Sequence, residues 1–152
     1  YGIEFNPEIA LLLKQQQLNV IQGDARQMPY NSNYFNAILI EEVIEHIKEQ
    51  ENVMSEIYRC LRPNGILLLA TPNKWVYRFF MYLSNIINLK FSRALIRNPT
   101  PDHISECTIS KIYEIHKKFI VDEIIPINPY LPNCLLRKFP ILAINFIVVS
   151  HK

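Results

Sequence analysis

The sequence predicts an α/β fold with a mostly parallel sheet, on three observations. Short apolar runs alternate with amphipathic segments along the first half of the chain. The runs at 37–40 and 66–70 are apolar without alternation, which is typical of parallel strands covered on both faces. Alternation at this spacing favours βαβ units with right-handed crossovers. The 152 residues fit a single domain.

The first strand is predicted at residues 1–4 and leads directly into a helix. Asn6 suits the N-cap, Pro7 suits the first helical position, and Glu8 is favoured near the positive end of the helix. We expect this helix to have a buried face made of Ile9, Leu12 and Leu13.

Strands follow at 18–22 and 37–40, and the next helix precedes the strand at 66–70. Residues 62–65, Arg-Pro-Asn-Gly, are expected to end that helix. Its apolar positions recur at spacings of three and four residues: Val53, Met54, Ile57, Tyr58 and Leu61.

The second half begins with a basic, aromatic-rich helical segment at 74–97, which is interpreted as a core-facing helix, a lid over a substrate or a membrane-surface helix. Thr108 is predicted to cap the next helix. Two closing strands at 120–127 and 143–150 are expected on either side of a Pro-rich loop. The apolar positions of the capped helix are Ile109, Ile112, Tyr113, His116 and Phe119.

Composition excludes several classes of protein. A net charge of +2 permits an acidic or nucleic-acid substrate but does not indicate one. The three cysteines are odd in number and lack CxxC spacing, so we expect free thiols in a reducing, cytoplasmic compartment. The apolar stretches are too short or too interrupted to span a bilayer, and no signal peptide is expected.

Two carboxylates stand at the predicted ends of the first two strands. Ligands of open α/β sheets bind beyond the carboxyl ends of strands. Glu4 can accept two hydrogen bonds from a ribose diol, or it is a solvated charge. Asp24 is a second candidate ligand, or it is a turn residue. Phe5 is placed either to pack on a base or to join the core.

Glu42, Glu45 and His46 fall at i, i+3 and i+4, which places them on one face at the start of a predicted helix. Two carboxylates and an imidazole can bind a divalent cation. The alternative is a negatively charged first turn that the helix dipole favours.

Four segments in fixed order, at 23–30, 42–47, 61–66 and 71–73, resemble the middle of a class I S-adenosylmethionine-dependent methyltransferase. The resemblance implies a Rossmann-like three-layer sandwich over 1–152, as a single incomplete domain with a helical, lid-like insertion at about 74–100. The chain opens where the family's second strand lies, so the first strand and the glycine-rich loop are expected to be lacking.

The resemblance also assigns roles at the strand ends, with S-adenosylmethionine as cofactor. Glu4 would bind the ribose, and Phe5 would pack on the adenine. Asp24 would accept a hydrogen bond from the adenine amine, and the Ala25 N–H would donate to the ring. Glu41 would line the pocket for the methionine part.

Two groups within the family resemble the chain at Glu42, Glu45 and His46. The ubiquinone-biosynthesis O-methyltransferases associate a similar trio with a magnesium-type ion. The small-RNA 3′-terminal methyltransferases add a later histidine, for which His103 is in a comparable place. These four residues are therefore candidate ligands of Mg²⁺ or Mn²⁺. Without a metal, His46 or His103 is the candidate general base.

The function implied is O-methyl transfer to the hydroxyl of a small molecule or of RNA. One alternative is a non-catalytic domain used for packing or partner binding, and another is a dinucleotide-binding dehydrogenase. In the family's strand order, the lacking strand would lie between the strands ending at Glu4 and Ile40. Two apolar edges would then be exposed, and we expect the chain to bind S-adenosylmethionine weakly or not at all.

Overall fold

A computed structural model describes residues 1–74, 76, 107–128, 131–140 and 143–152. The elements are β1 (Gly2–Glu4), α1 (Pro7–Gln15), β2 (Val20–Gln22), β3 (Phe35–Glu41), a 3₁₀ turn (Ile44–His46), α2 (Gln50–Cys60), β4 (Leu61–Pro72), α3 (Ile109–Ile115), β5 (Ile120–Ile127), α4 (Asn133–Lys138) and β6 (Asn145–His151). Helices separate β1 from β2 and β3 from β4, whereas a loop joins β2 to β3, and this arrangement agrees with the predicted α/β fold class.

The strands form two separate sheets. β1 and β2 pair in parallel, with Glu4 opposite Gln22 at the carboxyl ends. The second sheet has the order β3-β4-β6-β5. β3 and β4 are parallel, whereas β6 is antiparallel to both of its neighbours. No described strand joins β1 to β3, so the sheet is interrupted at the position expected for the lacking strand.

Helix α2 ends at Cys60, directly before residues 62–65, as predicted. The strand β4 already begins at Leu61, so residues 62–65 belong to β4 and do not form a separate loop. Leu61 pairs with Phe35, and regular pairing resumes at Ile66. The intervening residues form an irregularity in which Asn64 takes a φ of 62°. A Cβ at Gly65 would lie 2.8 Å from the Arg62 carbonyl oxygen, so the turn requires glycine there.

Helix α1 begins as predicted but buries a different face. The Asn6 side chain accepts from the Glu8 and Ile9 amides, and Pro7 takes the first helical position. Ile9 and Leu12 are 45% and 58% exposed, so the predicted buried face is wrong for both. Leu13 is half-buried and Ala10 is buried. The reason is that α1 packs mainly on the two short strands β1 and β2, which cover only a narrow strip of it.

Strand β3 is not covered on both faces, contrary to the prediction. Ile40 is buried, but Leu39 is 66% exposed. Leu39 lies instead on the wall of a cavity of about 410 Å³ between β1 and β3, lined also by Gly2, Ile3 and Ile38. Within the described ranges no strand pairs with the outer edge of β3, so this side chain lacks a packing partner there.

The core lies between the larger sheet and helices α2 and α3. Val53, Met54 and Ile57 of α2 are buried, as their spacing predicts. Ile112 and His116 are buried as well, and the Thr108 side chain caps α3 as predicted. Tyr113, however, is 55% exposed, because Ile115 supplies the buried contact one turn away from Ile112.

The last third of the chain adds two findings. Helix α4 occupies part of the stretch that was predicted as a Pro-rich loop. Cys60, Cys107 and Cys134 are all free, which confirms the prediction of unpaired thiols.

The basic, aromatic-rich segment predicted over 74–97 lies almost wholly outside the described residues. Among the helices that the structure does describe, none is long and apolar enough to cross a bilayer.

Candidate functional site

A cavity of about 550 Å³ opens at the carboxyl ends of β1 and β2. Glu4, Phe5, Asp24 and Ala25 all line it, together with the segment that contains His46. Parallel pairing brings the two strand ends together, because the Gly23 N–H donates to the Glu4 carbonyl at 3.0 Å. The volume lies within the range of small-molecule pockets. Four of the five residues assigned to cofactor binding therefore lie on one wall.

Glu4 and Phe5 are oriented by local hydrogen bonds. The Asn6 amide donates to Glu4 Oε1 at 2.8 Å, which fixes the carboxylate at the mouth of the cavity. The Gln22 side-chain amide donates to the Phe5 carbonyl at 3.3 Å. The Phe5 ring is 68% exposed, so it is placed at the cavity and outside the core. An exposed ring at a cavity wall can stack on a flat ligand.

Asp24 is engaged by Arg26, which the sequence analysis did not single out. Arg26 Nε and Nη2 donate to the Asp24 carboxylate at 3.0 and 2.7 Å. Nη1 donates to Glu49 Oε2 at 2.9 Å. The guanidinium hydrogen bonds hold the pKa of Asp24 below its usual value. The sequence signal was the spacing of Asp24 and Arg26 in a turn, where an Asp side chain accepts from the amide two residues on.

Glu41 lies in the adjoining cavity between β1 and β3 and not with the other four residues. The two cavities share Ile3, Ala25 and Val43, so they meet at the carboxyl ends of the strands. Glu41 is the last residue of β3. Its position agrees with a cleft that runs across the interrupted sheet.

Glu42, Glu45 and His46 do not share one helix face, contrary to the prediction. Glu42 takes a left-handed φ of 52°, and only residues 44–46 form a short 3₁₀ turn. Glu42 therefore points to Asn145, whose amide donates to Oε1 at 2.9 Å. Burial, with the neighbouring Glu45 carboxylate, raises the pKa of Glu42 to about 7. The turn therefore gives the three side chains an arrangement other than that of one helix face, although Glu45 still neighbours both Glu42 and His46.

Glu45 is fully buried behind the site. The Thr71 hydroxyl at the end of β4 donates to its Oε2 at 3.3 Å. Its Oε1 lies 3.9 Å from His46 Nε2 and accepts no hydrogen bond from any described atom. His46 lines the larger cavity, so the buried carboxylate lies directly behind a cavity-facing imidazole. Thr71 was not assigned a role from the sequence, since its partner lies 26 residues away.

The proposed metal set is only partly described. His103 lies outside the described residues. Within the ranges that are described, no group of three His, Cys, Asp or Glu side chains is close enough together to hold a metal ion. Glu42, Glu45 and His46 therefore do not form such a group by themselves.

Comparison with known families and proteins adds independent information. The family described as a methyltransferase domain matches residues 1–69. The chain is 35% identical over 57 residues to the ubiquinone/menaquinone biosynthesis C-methyltransferase UbiE of Erwinia tasmaniensis, covering 38% of this chain and 23% of that protein. It is 25% identical over 117 residues to the ubiquinone biosynthesis O-methyltransferase of Rickettsia prowazekii, and the match covers 75% of this chain and 45% of that protein. The chain thus spans less than half the length of these relatives.

Solved structures share the fold. One is an S-adenosylmethionine-dependent methyltransferase of Thermotoga maritima, described as a possible histamine N-methyltransferase. It aligns with a TM-score of 0.69 at 14% identity, over 99% of this chain and 72% of its own. A methyltransferase of Methanosarcina mazei aligns with a TM-score of 0.67, also at 14% identity, over 100% and 82%. At this level of identity the likeness concerns the fold alone.

Proposed function

We propose that this chain belongs to the class I S-adenosylmethionine-dependent methyltransferases and that the larger cavity binds the adenosine part of the cofactor. We further propose that the protein transfers a methyl group to a hydroxyl of a small molecule. The family match over residues 1–69 covers the strand ends that form the cavity. It favours this activity over a dinucleotide-binding dehydrogenase.

The observation that carries the proposal is the position of Glu4, Phe5, Asp24 and Ala25 on one cavity. A carboxylate at the end of β1 can accept both hydroxyls of a ribose. Asp24 and Ala25 lie at the end of the adjacent strand, where a carboxylate can accept from an adenine amine and a backbone N–H can donate to the ring. The exposed Phe5 ring adds an apolar surface between them.

S-adenosylmethionine supplies an activated methyl group, and the work left to the protein is positioning and proton removal. His46 is the described residue suited to accept the proton from an acceptor hydroxyl, since it faces the larger cavity. The buried Glu45 carboxylate behind it can hold the imidazole in place and balance its charge once protonated. His103 remains a second candidate base that is predicted from the sequence, since it lies outside the described residues.

O-methyl transfer is favoured over C-methyl transfer by the extent of the match. The O-methyltransferase of Rickettsia prowazekii aligns with 75% of this chain at 25% identity, whereas the C-methyltransferase of Erwinia tasmaniensis aligns with 38% at 35% identity. A net charge of +2 does not by itself indicate RNA as the acceptor. Binding of Mg²⁺ or Mn²⁺ at Glu42, Glu45, His46 and His103 stays a prediction from the family resemblance.

The adenosine site can be tested by titrating the ¹⁵N-labelled chain with S-adenosylhomocysteine and following backbone amides by NMR. We expect shifts at Phe5 and Ala25. We expect affinity weaker than micromolar, because the sheet beside the site is interrupted. Glu4→Gln should weaken binding at least about tenfold, since it replaces charge-assisted hydrogen bonds to the ribose.

Glu8→Gln is the matched control, because it removes a carboxylate from the first turn of α1, outside the cavity. It should leave the affinity unchanged. Shifts that avoid the cavity, or equal effects of the two variants, would show that the adenosine site is wrong. Micromolar affinity with shifts at Phe5 and Ala25 would contradict only the expectation of weak binding.

A further inference from the structure

Both oxygens of the Asp24 carboxylate accept hydrogen bonds from Arg26 in this structure. Oδ1 accepts from the Arg26 amide at 2.8 Å and from Nε at 3.0 Å. Oδ2 accepts from Nε at 3.0 Å and from Nη2 at 2.7 Å. An ionised carboxylate offers about four lone-pair sites. Nε carries a single hydrogen that the two oxygens share, so three N–H groups of Arg26 occupy most of these sites, and both donors on Oδ2 belong to the guanidinium.

The same carboxylate is the proposed acceptor for the adenine amine. Arg26 also lines the larger cavity, so its side chain occupies space at the base end of the site. A base amine that donates to Oδ2 must therefore compete with the guanidinium, which already directs Nε and Nη2 at that oxygen. Because the Arg26 amide belongs to the backbone turn, only the side-chain donors can leave without unfolding that turn.

Glu49 offers the guanidinium a second partner. Its Oε2 accepts from Arg26 Nη1 at 2.9 Å, so the side chain already bridges two carboxylates. The Arg26, Asp24 and Glu49 side chains are 41%, 32% and 47% exposed. Ion pairs at such exposure are weak, so shifting the guanidinium from one carboxylate to the other costs little. The guanidinium lowers the pKa of both carboxyls, which agrees with both staying ionised.

We infer that Arg26 competes with the base of the bound nucleoside for Asp24, and that Glu49 retains the Arg26 side chain when the base is bound. The inference rests on the proposed adenosine site. Arg26 then sets how tightly the site holds a base that carries an exocyclic amine. Removing Arg26 should strengthen binding of that base, whereas removing the Glu49 charge should weaken it, since Arg26 then has only Asp24. A residue that merely supported the fold of the site would give losses in both variants.

The test compares adenosine with inosine, whose base carries a carbonyl oxygen in place of the amine. Dissociation constants are measured by NMR titration of the labelled chain as wild type, Arg26→Gln and Glu49→Gln. We expect Arg26→Gln to bind adenosine about two- to fivefold more tightly, the range that an exposed ion pair supports. Glu49→Gln should bind adenosine more weakly by a similar factor. Inosine affinity should not rise in Arg26→Gln.

Lys14→Gln is the control for net charge, since Lys14 lies in the last turn of α1 and outside the cavity lining. It should leave adenosine affinity unchanged. Equal or weaker adenosine binding by Arg26→Gln overturns the competition while leaving the adenosine site intact. If adenosine shifts no cavity amide in any of the four proteins, the adenosine site itself is wrong, and the inference is overturned with it.

Discussion

His116 shows how one buried side chain can make stability depend on pH. It is 2% exposed, and its Nδ1 lies 2.7 Å from the Ile112 carbonyl. Because that carbonyl only accepts, Nδ1 carries the hydrogen and Nε2 is left unprotonated. Nε2 is buried and has no hydrogen-bond partner among the described atoms. Burial lowers the pKa of His116 because the charged imidazole would have to be desolvated.

We therefore expect His116→Asn to reduce the loss of stability in acid. Below pH 6.5 the unfolded chain takes up a proton at His116 that the folded chain does not. The free energy of unfolding of wild type therefore falls by up to about 1.4 kcal/mol for each unit by which the pH is lowered. The Asn amide can still donate to the Ile112 carbonyl. Urea unfolding of both proteins between pH 5 and 8 measures the difference.

The comparison must be made between the two proteins and not on wild type alone. Glu42, with its pKa raised to about 7, acts in the opposite direction. Between its ordinary value and pH 7 the folded chain binds the extra proton, so its contribution to stability falls as pH rises. That term is common to both proteins and cancels in the difference. Parallel stability curves would show that His116 is not kept neutral by burial.

At the scale of elements, helix α2 holds the loop that follows the site. Arg59 donates from Nη1 to the Tyr30 carbonyl at 2.7 Å and from Nη2 to the Met28 carbonyl at 3.0 Å. Glu56 Oε2 accepts from the Met28 amide at 2.8 Å and pairs with Arg59. The loop from Ala25 to Tyr30 is thus tied to the helix that packs under the larger sheet. These contacts link the two sheets.

The sequence predicted α2 but could not predict this role for its polar face. Apolar residues at regular spacing show which side of a helix is buried. The Glu56–Arg59 pair has the spacing of an ordinary exposed ion pair, and its backbone partners lie about thirty residues away. Likewise, Glu42, Glu45 and His46 have helical spacing, but the left-handed Glu42 breaks the helix that the spacing assumed. The spacing of residues along the sequence shows local periodicity. It does not show which distant backbone groups a side chain will bind, or where a sharp turn will interrupt a helix.

Arg59→Ala should both destabilise the chain and loosen the site. The substitution removes the Arg59 donors of the Met28 and Tyr30 carbonyls. We expect the free energy of unfolding to fall by about 1–2 kcal/mol, because water can reach these partly buried carbonyls and replace part of the lost hydrogen bonding. We also expect weaker adenosine binding, since the loop carrying Ala25 is no longer held. Urea unfolding and NMR titration measure the two effects.

Lys111→Ala is the matched control, because it removes an exposed pair with Glu114 at the same i, i+3 spacing. It should change neither quantity measurably. If Arg59→Ala resembled Lys111→Ala in both measurements, the contacts to the loop would contribute nothing.

At the scale of the whole molecule, the interrupted sheet was predictable and the exposure of its edge residues was not. Alternating strands and helices predicted the fold class, and the family resemblance predicted a lacking strand between β1 and β3. The structure confirms the fold class, and its described strands form separate two- and four-stranded sheets. The run at 37–40 was nevertheless expected to be covered on both faces. An apolar run indicates a side chain suited to burial, but it does not show whether a partner strand covers it, as Leu39 illustrates.

Leu39 allows the consequence of that exposed edge to be tested. It is 66% exposed on β3, whose outer edge has no partner strand in the part of the chain that the structure describes. Such an edge can pair with another copy of the chain. We expect sedimentation velocity to show an apparent mass that rises with concentration for wild type. Leu39→Lys should suppress this rise, because a charge on an edge strand opposes pairing and is costly to bury between two sheets.

Leu12→Lys is the control that distinguishes pairing at the β3 edge from non-specific association through exposed apolar surface. Leu12 is 58% exposed on α1, so the substitution removes a comparable apolar surface that lies on a helix. Lysine is a good helix former, and the variant should fold normally. If the interrupted sheet drives association, only Leu39→Lys lowers the apparent mass at high concentration. Equal suppression by both variants would attribute association to exposed apolar surface in general, and an unchanged mass in Leu39→Lys would show that the β3 edge takes no part.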